Sequence, residues 1–187
     1  MDKALIEKYR DINTDHNWYD YVYEHFTERM EKVGIRVDQI YFSGFWSQGD
    51  GACFEGIIES PLRFLRRHMP FHYPLMRKLV AMGGTVAVTC VHSGRYYHEH
   101  STEFSISCDE FKYLIDDDGD TRSEIADVLD EQLNYELADF ADDVKEIFRG
   151  YMKELYRELE QEYDNLTSDE SVWEAIVAND LHIKEEA

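Results

Sequence analysis

The sequence predicts an α+β fold, in which a small antiparallel sheet of about four strands in two hairpins is flanked by helices and followed by a long acidic helical segment. Three observations predict it. Short apolar runs come in pairs around Gly-containing turns, as in β-hairpins. Apolar residues outside those runs recur every three or four positions, which is the helical period. Acidic residues concentrate in the last third of the chain, where the helical pattern is longest.

On this pattern the chain of 187 residues divides into two units. Residues 1–120 are predicted to form an α+β core domain, and residues 121–187 an acidic helical segment that packs on it or extends from it. A hydrophobic fraction of 43% is enough to build a core, and it excludes a chain that is disordered by composition.

The first third of the chain is predicted to be largely helical. Residues 4–10 form a short amphipathic start, and Asn13 or Thr14 can cap a second helix that ends at Gly34. Along that helix large apolar side chains recur at helical spacing: Trp18, Tyr21, Val22, Phe26 and Met30. We interpret this stripe as the side of the helix that faces the core.

Two hairpins follow, with a helical stretch between them. Residues 35–46 and 52–59 are predicted strands around a Gly-rich turn, and residues 85–92 and 96–108 are predicted strands around a second turn. The three prolines of the chain punctuate the helical stretch: Pro61, Pro70 and Pro74. The four strands are expected to form one antiparallel sheet.

From residue 121 onward the pattern is purely helical, which predicts one long helix or two helices broken near Gly150. The recurring apolar residues are Ile125, Val128, Leu129, Leu133, Leu137, Phe140, Val144, Ile147, Phe148, Tyr151, Leu155 and Leu159. Thr167 and Glu170 are spaced as a capping box, so a last short helix is expected after them.

The three cysteines, Cys53, Cys90 and Cys108, are expected to be free thiols. Their odd number and the lack of a Cys-x-x-Cys pair argue against a disulfide framework and against a structural zinc site. Each lies in an apolar, strand-like context, where a free cysteine acts as a small hydrophobe. Cys90, near His92, is the one candidate nucleophile, because a reactive cysteine needs an adjacent base.

The formal net charge of −21 is distributed unevenly along the chain. Residues 60–98 contain no Asp or Glu but six Lys and Arg residues, whereas residues 109–187 contain 26 acidic and 7 basic residues. So negative a molecule is a poor partner for bare nucleic acid and for anionic membranes. No run approaches the ~20 apolar residues of a membrane-spanning helix, and the start lacks a signal-peptide segment, so a cytoplasmic protein is expected. The acidic run 116–120 has the composition of a calcium loop but not its spacing.

The carboxylates of the C-terminal helices admit two interpretations. They can form the solvated face of amphipathic helices, which is the common case. Alternatively they imitate a phosphate backbone or occupy a partner's basic groove, because like charges three or four residues apart destabilise a helix and so indicate some use. The candidate residues are Asp127, Asp130, Glu131, Asp142, Asp143 and Glu146. The basic segment 60–98 is expected to hold the acidic helices internally, with phosphate binding as the alternative.

The most distinctive motif is residues 41–56, which read YFSGFWSQGDGACFEG. It lacks the Gly-Lys-Ser/Thr of a phosphate-binding loop, and its glycines do not open a helix as in a dinucleotide fingerprint, so no cofactor is expected. Exposed amides, a hydroxyl and a carboxylate beside two aromatic side chains suit a recognition loop or a small-ligand pocket. The alternative is a tight turn under packed aromatic rings. The candidate residues are Phe45, Trp46, Ser47, Gln48, Gly49, Asp50 and Gly51.

This motif, with the preceding Trp-Tyr-Asp-Tyr-Val-Tyr-Glu run at residues 18–24, resembles an uncharacterised family of phage and prophage proteins. Its members are loosely labelled as the antitoxin of a toxin–antitoxin stability system. The resemblance covers about the first 60 residues and does not extend to the acidic helices. It implies an accessory protein of a phage or mobile element that acts in the host cytoplasm.

A weaker candidate site follows the second turn. On a strand, His98, His100 and Thr102 project to one face. Two histidines at that spacing can ligate zinc, but the third ligand, His92 or Glu55, is left open. His100 and Thr102 also match one half of the His-x-Thr pair of two-histidine phosphoesterases, whose second half this sequence lacks.

The predicted function is non-enzymatic binding. The chain is expected to bind and inhibit a host protein with a basic surface, such as a toxin, a nuclease or another defence factor, through its acidic helical face. The loop at residues 45–51 would form a second recognition feature. An alternative is a small enzyme, or a nucleotide or metal binder, that uses this loop with His98 and His100. A third interpretation is a structural protein that forms a homo-oligomer through its C-terminal helices.

Overall fold

The computed structural model describes residues 1–14, 17–114 and 120–181, with side chains except at residues 112 and 120–123. Within these ranges four antiparallel strands form one sheet, and six α-helices accompany it, which confirms the predicted α+β class. None of the described helices is long and apolar enough to cross a membrane. The acidic run at 116–120 lies outside the described residues, apart from the backbone of its last member.

The elements alternate between helical and strand regions along the chain. The helices are α1 (Lys3–Lys8), α2 (Asp20–Lys32), α3 (Pro61–His68), α4 (Pro74–Ala81), α5 (Asp120–Leu166) and α6 (Asp169–Ala178). The strands are β1 (Ile35–Phe42), β2 (Ala52–Ile58), β3 (Val86–His92) and β4 (Thr102–Cys108). A 3-10 turn (Phe111–Tyr113) follows β4.

Most helices begin and end near the residues that predict their boundaries, but the predicted starts of two helices are wrong. Prolines open α3 and α4, because their fixed φ suits the first helical turn. The predicted cap of the second helix at Asn13 or Thr14 is wrong, since α2 begins only at Asp20 and has no side-chain cap. Ser168, and not Thr167, caps α6 by accepting a backbone N–H, because the Thr167 hydroxyl is engaged with a carbonyl in the last turn of α5.

The sheet has the strand order β1-β2-β3-β4. Strands β1 and β2 form the first predicted hairpin, and β3 and β4 pair over seven residues of each strand. The two hairpins meet through a short contact between β2 and β3, at Gly56–Cys90 and Ile57–Thr89. Because α3 and α4 lie between β2 and β3 in the chain, the sheet is an antiparallel meander with a helical insertion at its centre.

The second hairpin is shorter than predicted. Strand β4 begins at Thr102 and not at residue 96, because the Ser101 N–H donates to the carbonyl of His98 (2.8 Å) and makes a turn that a strand cannot contain. The Ser93 N–H then donates to the carbonyl of Ser101 (2.9 Å) and closes the loop. The placement of His98 and His100 on one face of a strand is therefore wrong.

The core lies between one face of the sheet and the helices α2 and α5. Phe54 of β2 stands at its centre, with the ring of Phe26 from α2 at 5.5 Å and the ring of Phe148 from α5 at 5.4 Å between centroids. Further residues that α5 contributes to this cluster are Leu133, Phe140, Val144, Met152, Leu155 and Leu159. The helix α5 continues unbroken through Gly150, so the alternative of two helices is excluded.

A second, smaller apolar cluster joins the first and last helices. Ile6 of α1 packs with Val172 and Ile176 of α6. Arg10 comes shortly after α1 in the chain, and its guanidinium donates to the Asp169 carboxylate (2.6 Å) at the start of α6. These contacts attach α6, and with it the end of α5, to the N-terminal region.

Two glycines should respond in opposite ways to an added methyl group. Gly150 is exposed within α5, and a Cβ there meets nothing within 4 Å, so Gly150→Ala should raise the free energy of unfolding by about 0.5–1 kcal/mol through helix propensity. At Gly56 a Cβ would clash with the carbonyl oxygen of Arg36 on β1, so Gly56→Ala should lower it by about 1–3 kcal/mol. Urea unfolding followed by circular dichroism measures both changes. A destabilised Gly150→Ala variant would contradict the open environment of that position.

The three thiols should react in a definite order. Cys53 and Cys90 are free and buried, and burial raises the pKa of both thiols to about 12. Cys108 is only half-buried, and burial raises its pKa as well. Because the thiolate is the reactive form and a raised pKa keeps it scarce at pH 8, iodoacetamide should alkylate Cys108 first and the other two only as the protein unfolds. Timed labelling with peptide mass spectrometry tests this, and equal labelling of the native protein would refute it.

Candidate protein-binding site

The loop at residues 43–51 is held by its own polar groups. The Asp50 carboxylate accepts hydrogen bonds from the backbone N–H groups of Trp46 (2.9 Å) and Ser47 (2.6 Å). The Gly51 N–H donates to the Ser43 hydroxyl (3.2 Å), and the Ser43 N–H donates to the Gly51 carbonyl. The carboxylate that the sequence offers to a ligand is therefore engaged in shaping the turn.

The glycines of this loop allow the second loop, at residues 93–101, to lie against it. A Cβ at Gly49 would stand 2.5 Å from the Tyr96 ring, and a Cβ at Gly51 would stand 2.7 Å from Cβ of His98. Gly49 also has a positive φ of 101°, which glycine adopts at little cost. Close packing between two loops accounts for both glycines.

The aromatic residues of the loop divide into an inner and an outer part. Phe45 packs among rings from three regions of the chain, including Trp18, Phe42 and Tyr163, at centroid distances of 5.0–6.3 Å. Trp46 remains 77% exposed. Ser47 and Gln48 are exposed beside it. The tight-turn interpretation thus describes the inner part of the loop, and the residues available for recognition are those from 46 to 48.

A small polar cleft separates the two loops from α5. It encloses about 260 Å³, and its lining includes Asp50, His98, Glu99, Lys153 and Arg157. The structure therefore brings the 47–51 turn and His98 together, as the alternative function requires. His98 uses its Nδ1 to accept from the His100 N–H (3.1 Å).

The two candidates for a third zinc ligand, His92 and Glu55, already have hydrogen-bond partners. The Glu55 carboxylate accepts from the His92 N–H (2.9 Å), and the His92 ring lies 3.1 Å from the carbonyl of Tyr96. In the part of the chain that the structure describes, no group of three His, Cys, Asp or Glu side chains could hold a metal ion.

The six acidic candidates on α5 have different surroundings. Asp127, Glu131, Asp142 and Glu146 are exposed. Asp130 is buried and accepts a hydrogen bond from the Phe111 N–H (2.5 Å), so its placement on an exposed face is wrong. Asp143 accepts from the hydroxyl of Tyr73 (2.6 Å). The reason is helical geometry: position 130 falls between the buried positions 126 and 133 on the side of α5 that faces the sheet.

The side of α5 that faces away from the core also carries large apolar residues. Val128 and Ile125 are each 54% exposed, and Tyr135 is 69% exposed. One row of exposed positions along α5 consists of residues 128, 135, 142 and 146. It is displaced by two residues from the buried row, which consists of residues 126, 133, 140 and 144. Two residues correspond to about 200° around a helix, so the two rows lie on opposite sides.

We call this surface the outward face and define it by its exposed members: Ile125, Asp127, Val128, Glu131, Tyr135, Asp142 and Glu146. Sequence periodicity places Ile125 and Val128 in one series with the buried residues, so it does not reveal the apolar part of this face. The exposed and the buried series have the same spacing but are offset by two residues. This offset is the sequence signal that could have separated them.

The basic segment 60–98 does not neutralise this face. Within the described residues, none of its arginines lies within 4 Å of a carboxylate of α5, contrary to the expectation of internal neutralisation. Arg77 instead donates to main-chain carbonyls at the end of α3. The segment meets α5 through neutral donors, since the Glu136 carboxylate accepts from the N–H groups of Leu75 (3.2 Å) and Met76 (3.0 Å) in the first turn of α4.

The fold and the outward face define an α+β protein in which a four-stranded antiparallel meander is closed by one long acidic helix. The chain belongs to the family described as a domain of unknown function, DUF8835, which matches residues 18–169. The matched range spans the sheet, the loop at 43–51 and the whole of α5. No curated protein matches the chain, and no solved structure matches it.

The buried and the exposed carboxylates of α5 should differ in their effect on stability. Asp130→Ala leaves the Phe111 N–H without its acceptor, so it should lower the free energy of unfolding by about 1–3 kcal/mol. Asp127→Ala removes an exposed carboxylate one turn earlier and should change it by no more than about 0.5 kcal/mol. Chemical denaturation of both variants measures the difference. Equal values would show that Asp130 has no structural role beyond that of a surface carboxylate.

Proposed function

We propose that this chain is a non-enzymatic binding protein whose outward face docks on a partner protein with a basic surface. The observation that carries the proposal is the position of Val128 and Tyr135. Both are large apolar side chains, both are more than half exposed, and both lie opposite the core cluster, which includes neither of them. Apolar groups clustered in a polar surround are typical of protein interaction sites.

The charge of the same region indicates the chemistry of the partner. From residue 124 to residue 146 α5 carries nine acidic residues and one basic residue, Lys145. Asp142 pairs with Lys145 (2.9 Å) and Glu146 with Arg149 (2.8 Å), but exposed pairs of this kind contribute little to stability. A partner with an apolar centre and a basic rim would cover the apolar side chains and would replace like-charge repulsion by attraction.

The resemblance of residues 18–24 and 41–56 to phage proteins labelled as antitoxins supports a more specific form of the proposal. In that form the partner is a host toxin, nuclease or other defence factor in the host cytoplasm, and binding inhibits it. Trp46, Ser47 and Gln48 would then provide a second contact. Since Trp46 packs on Tyr163 of α5 (5.2 Å), it stands about 40 Å along the helix from Tyr135. The two features would therefore contact different parts of a partner.

Affinity capture from the host cytoplasm should distinguish the outward face from the rest of the surface. Two variants are compared with the wild type. The first replaces the apolar side chains: Ile125→Ser, Val128→Ser and Tyr135→Ser. The second neutralises four exposed carboxylates: Asp127→Asn, Glu131→Gln, Asp142→Asn and Glu146→Gln. A partner that docks on the outward face should be recovered with the wild type. With either variant its recovery should fall about tenfold or more, which corresponds to a loss of about 1.4 kcal/mol in binding free energy.

A matched control removes the same number of charges elsewhere. It neutralises four exposed carboxylates near the C-terminal end: Glu160→Gln, Asp164→Asn, Glu170→Gln and Glu174→Gln. If the control variant recovers a captured protein as poorly as the outward-face variants do, that protein is held by net charge alone. This result would contradict the proposal. With the purified partner, the acidic variant should associate more slowly and with a weaker salt dependence, while the apolar variant should dissociate faster.

A further inference from the structure

A second concave surface lies on another part of the molecule, between α2, α3 and α5. It has a volume of about 510 Å³, and its lining includes Arg29, Arg67, His68, Gly150, Tyr151 and Glu154. We call it the arginine cleft. Gly150 follows Tyr135 by fifteen residues, so the cleft lies about 22 Å along α5 from the apolar part of the outward face.

The cleft is open because α5 has a glycine at its wall. Gly150 lies within a 47-residue helix, where glycine lowers helix stability relative to alanine. A Cβ at this position meets nothing within 4 Å, so close packing does not require a glycine there. What the missing side chain provides is room between α5 and the two helices opposite.

Arg29 contributes a partly exposed guanidinium to the lining of this cleft. Its Nη1 donates to the Glu158 carboxylate (2.6 Å), and its guanidinium lies 5.4 Å from the centre of the Phe26 ring. Its Nε and Nη2 atoms are buried and have no hydrogen-bond partner among the described residues. Because these two donors have no accessible surface, an acceptor in the cleft would pair with them only after a shift of the Arg29 side chain, and a charged acceptor would satisfy them best.

The α3 wall carries a second guanidinium, and a polar pair connects α3 to α5. Arg67, in the last turn of α3, is exposed, and within the described residues it forms no ion pair. The Tyr151 hydroxyl lies 3.2 Å from Nε2 of His68. Burial and the charge of Arg67 lower the pKa of His68, so the ring is neutral at pH 7 and this pair adds hydrogen-bonding groups without charge.

Of the two α5 carboxylates near the cleft, one is already paired with an arginine and the other lines the cleft. Glu158 is occupied by Arg29, and Glu154 is the carboxylate in the lining. Because residues 60–98 contain no acidic residue, α3 contributes none. Among the lining residues, α2 and α3 therefore offer two guanidinium groups, while α5 offers one carboxylate.

We infer that the arginine cleft binds a small molecule that carries an oxyanion, phosphate or carboxylate, between Arg67 and Arg29. His68 and Tyr151 supply a further hydrogen bond to the oxyanion, and Glu154 accepts one from a hydroxyl or amino group on the remainder of the ligand. Guanidinium groups suit this role because their planar N–H groups match the oxygens of both anions. The inference is independent of the proposed docking surface, since no residue is shared.

Isothermal titration calorimetry with inorganic phosphate and, separately, with succinate tests this inference on the full chain. At least one of the two anions should bind saturably, with a dissociation constant below about 10 mM. Arg67→Gln should weaken that binding by about tenfold, and Gly150→Leu should abolish it by filling the cleft. Preference for phosphate identifies a phosphorylated ligand, and preference for succinate identifies a carboxylate ligand.

Two matched controls separate the cleft from general surface charge. Arg66→Gln removes the neighbouring exposed arginine on α3, and Gly150→Ala adds one methyl group while leaving most of the space. Both should bind the anion within about twofold of the wild type. Equal weakening by Arg66→Gln and Arg67→Gln, or no saturable binding of either anion, would overturn the inference. Since Arg67 is exposed, its variant keeps the fold and decides the question even if Gly150→Leu is unstable.

Discussion

The apolar contact between α5 and the central strand β2 is the constraint on which the rest of the structure depends. Phe148 stacks on Phe54 at 5.4 Å, and Phe26 closes the same cluster from α2. Because this contact lies within a 47-residue helix, it determines which side of the helix is buried along much of its length. The opposite side has to face solvent, and the outward face is a consequence of that choice.

The same constraint sorts the carboxylates of α5 into two groups with different physical roles. Asp130, Glu136 and Asp143 accept hydrogen bonds from the Phe111 N–H, from the first turn of α4 and from the Tyr73 hydroxyl. These three hold neighbouring elements against the helix. The carboxylates on the outward face have no such role, and the proposed interaction with a basic partner concerns them alone. Net charge by itself therefore overstates how much acidic surface is available to a partner.

Much of the fold could be predicted because its signals are local. Pro61 and Pro74 each open a helix, Gly-rich turns separate the strands, and the cysteines lie free in strands. The errors arose where a contact distant in sequence or a turn overrode a local pattern. The strand predicted from residue 96 gave way to a turn at His98–Ser101. The apolar positions 125 and 128 share the helical period of the core residues but point the other way.

By itself the sequence determined the elements, their order and the segregation of charge, because propensity, turn chemistry and composition act over a few neighbouring residues. Only the tertiary structure decided which row of α5 is buried, that Gly49 and Gly51 serve the contact between two loops, and that Arg29 and Arg67 face a common cleft. Each of these depends on segments far apart in the chain that come together when the core forms. A periodic pattern specifies that a helix has two sides, and packing against the sheet selects between them.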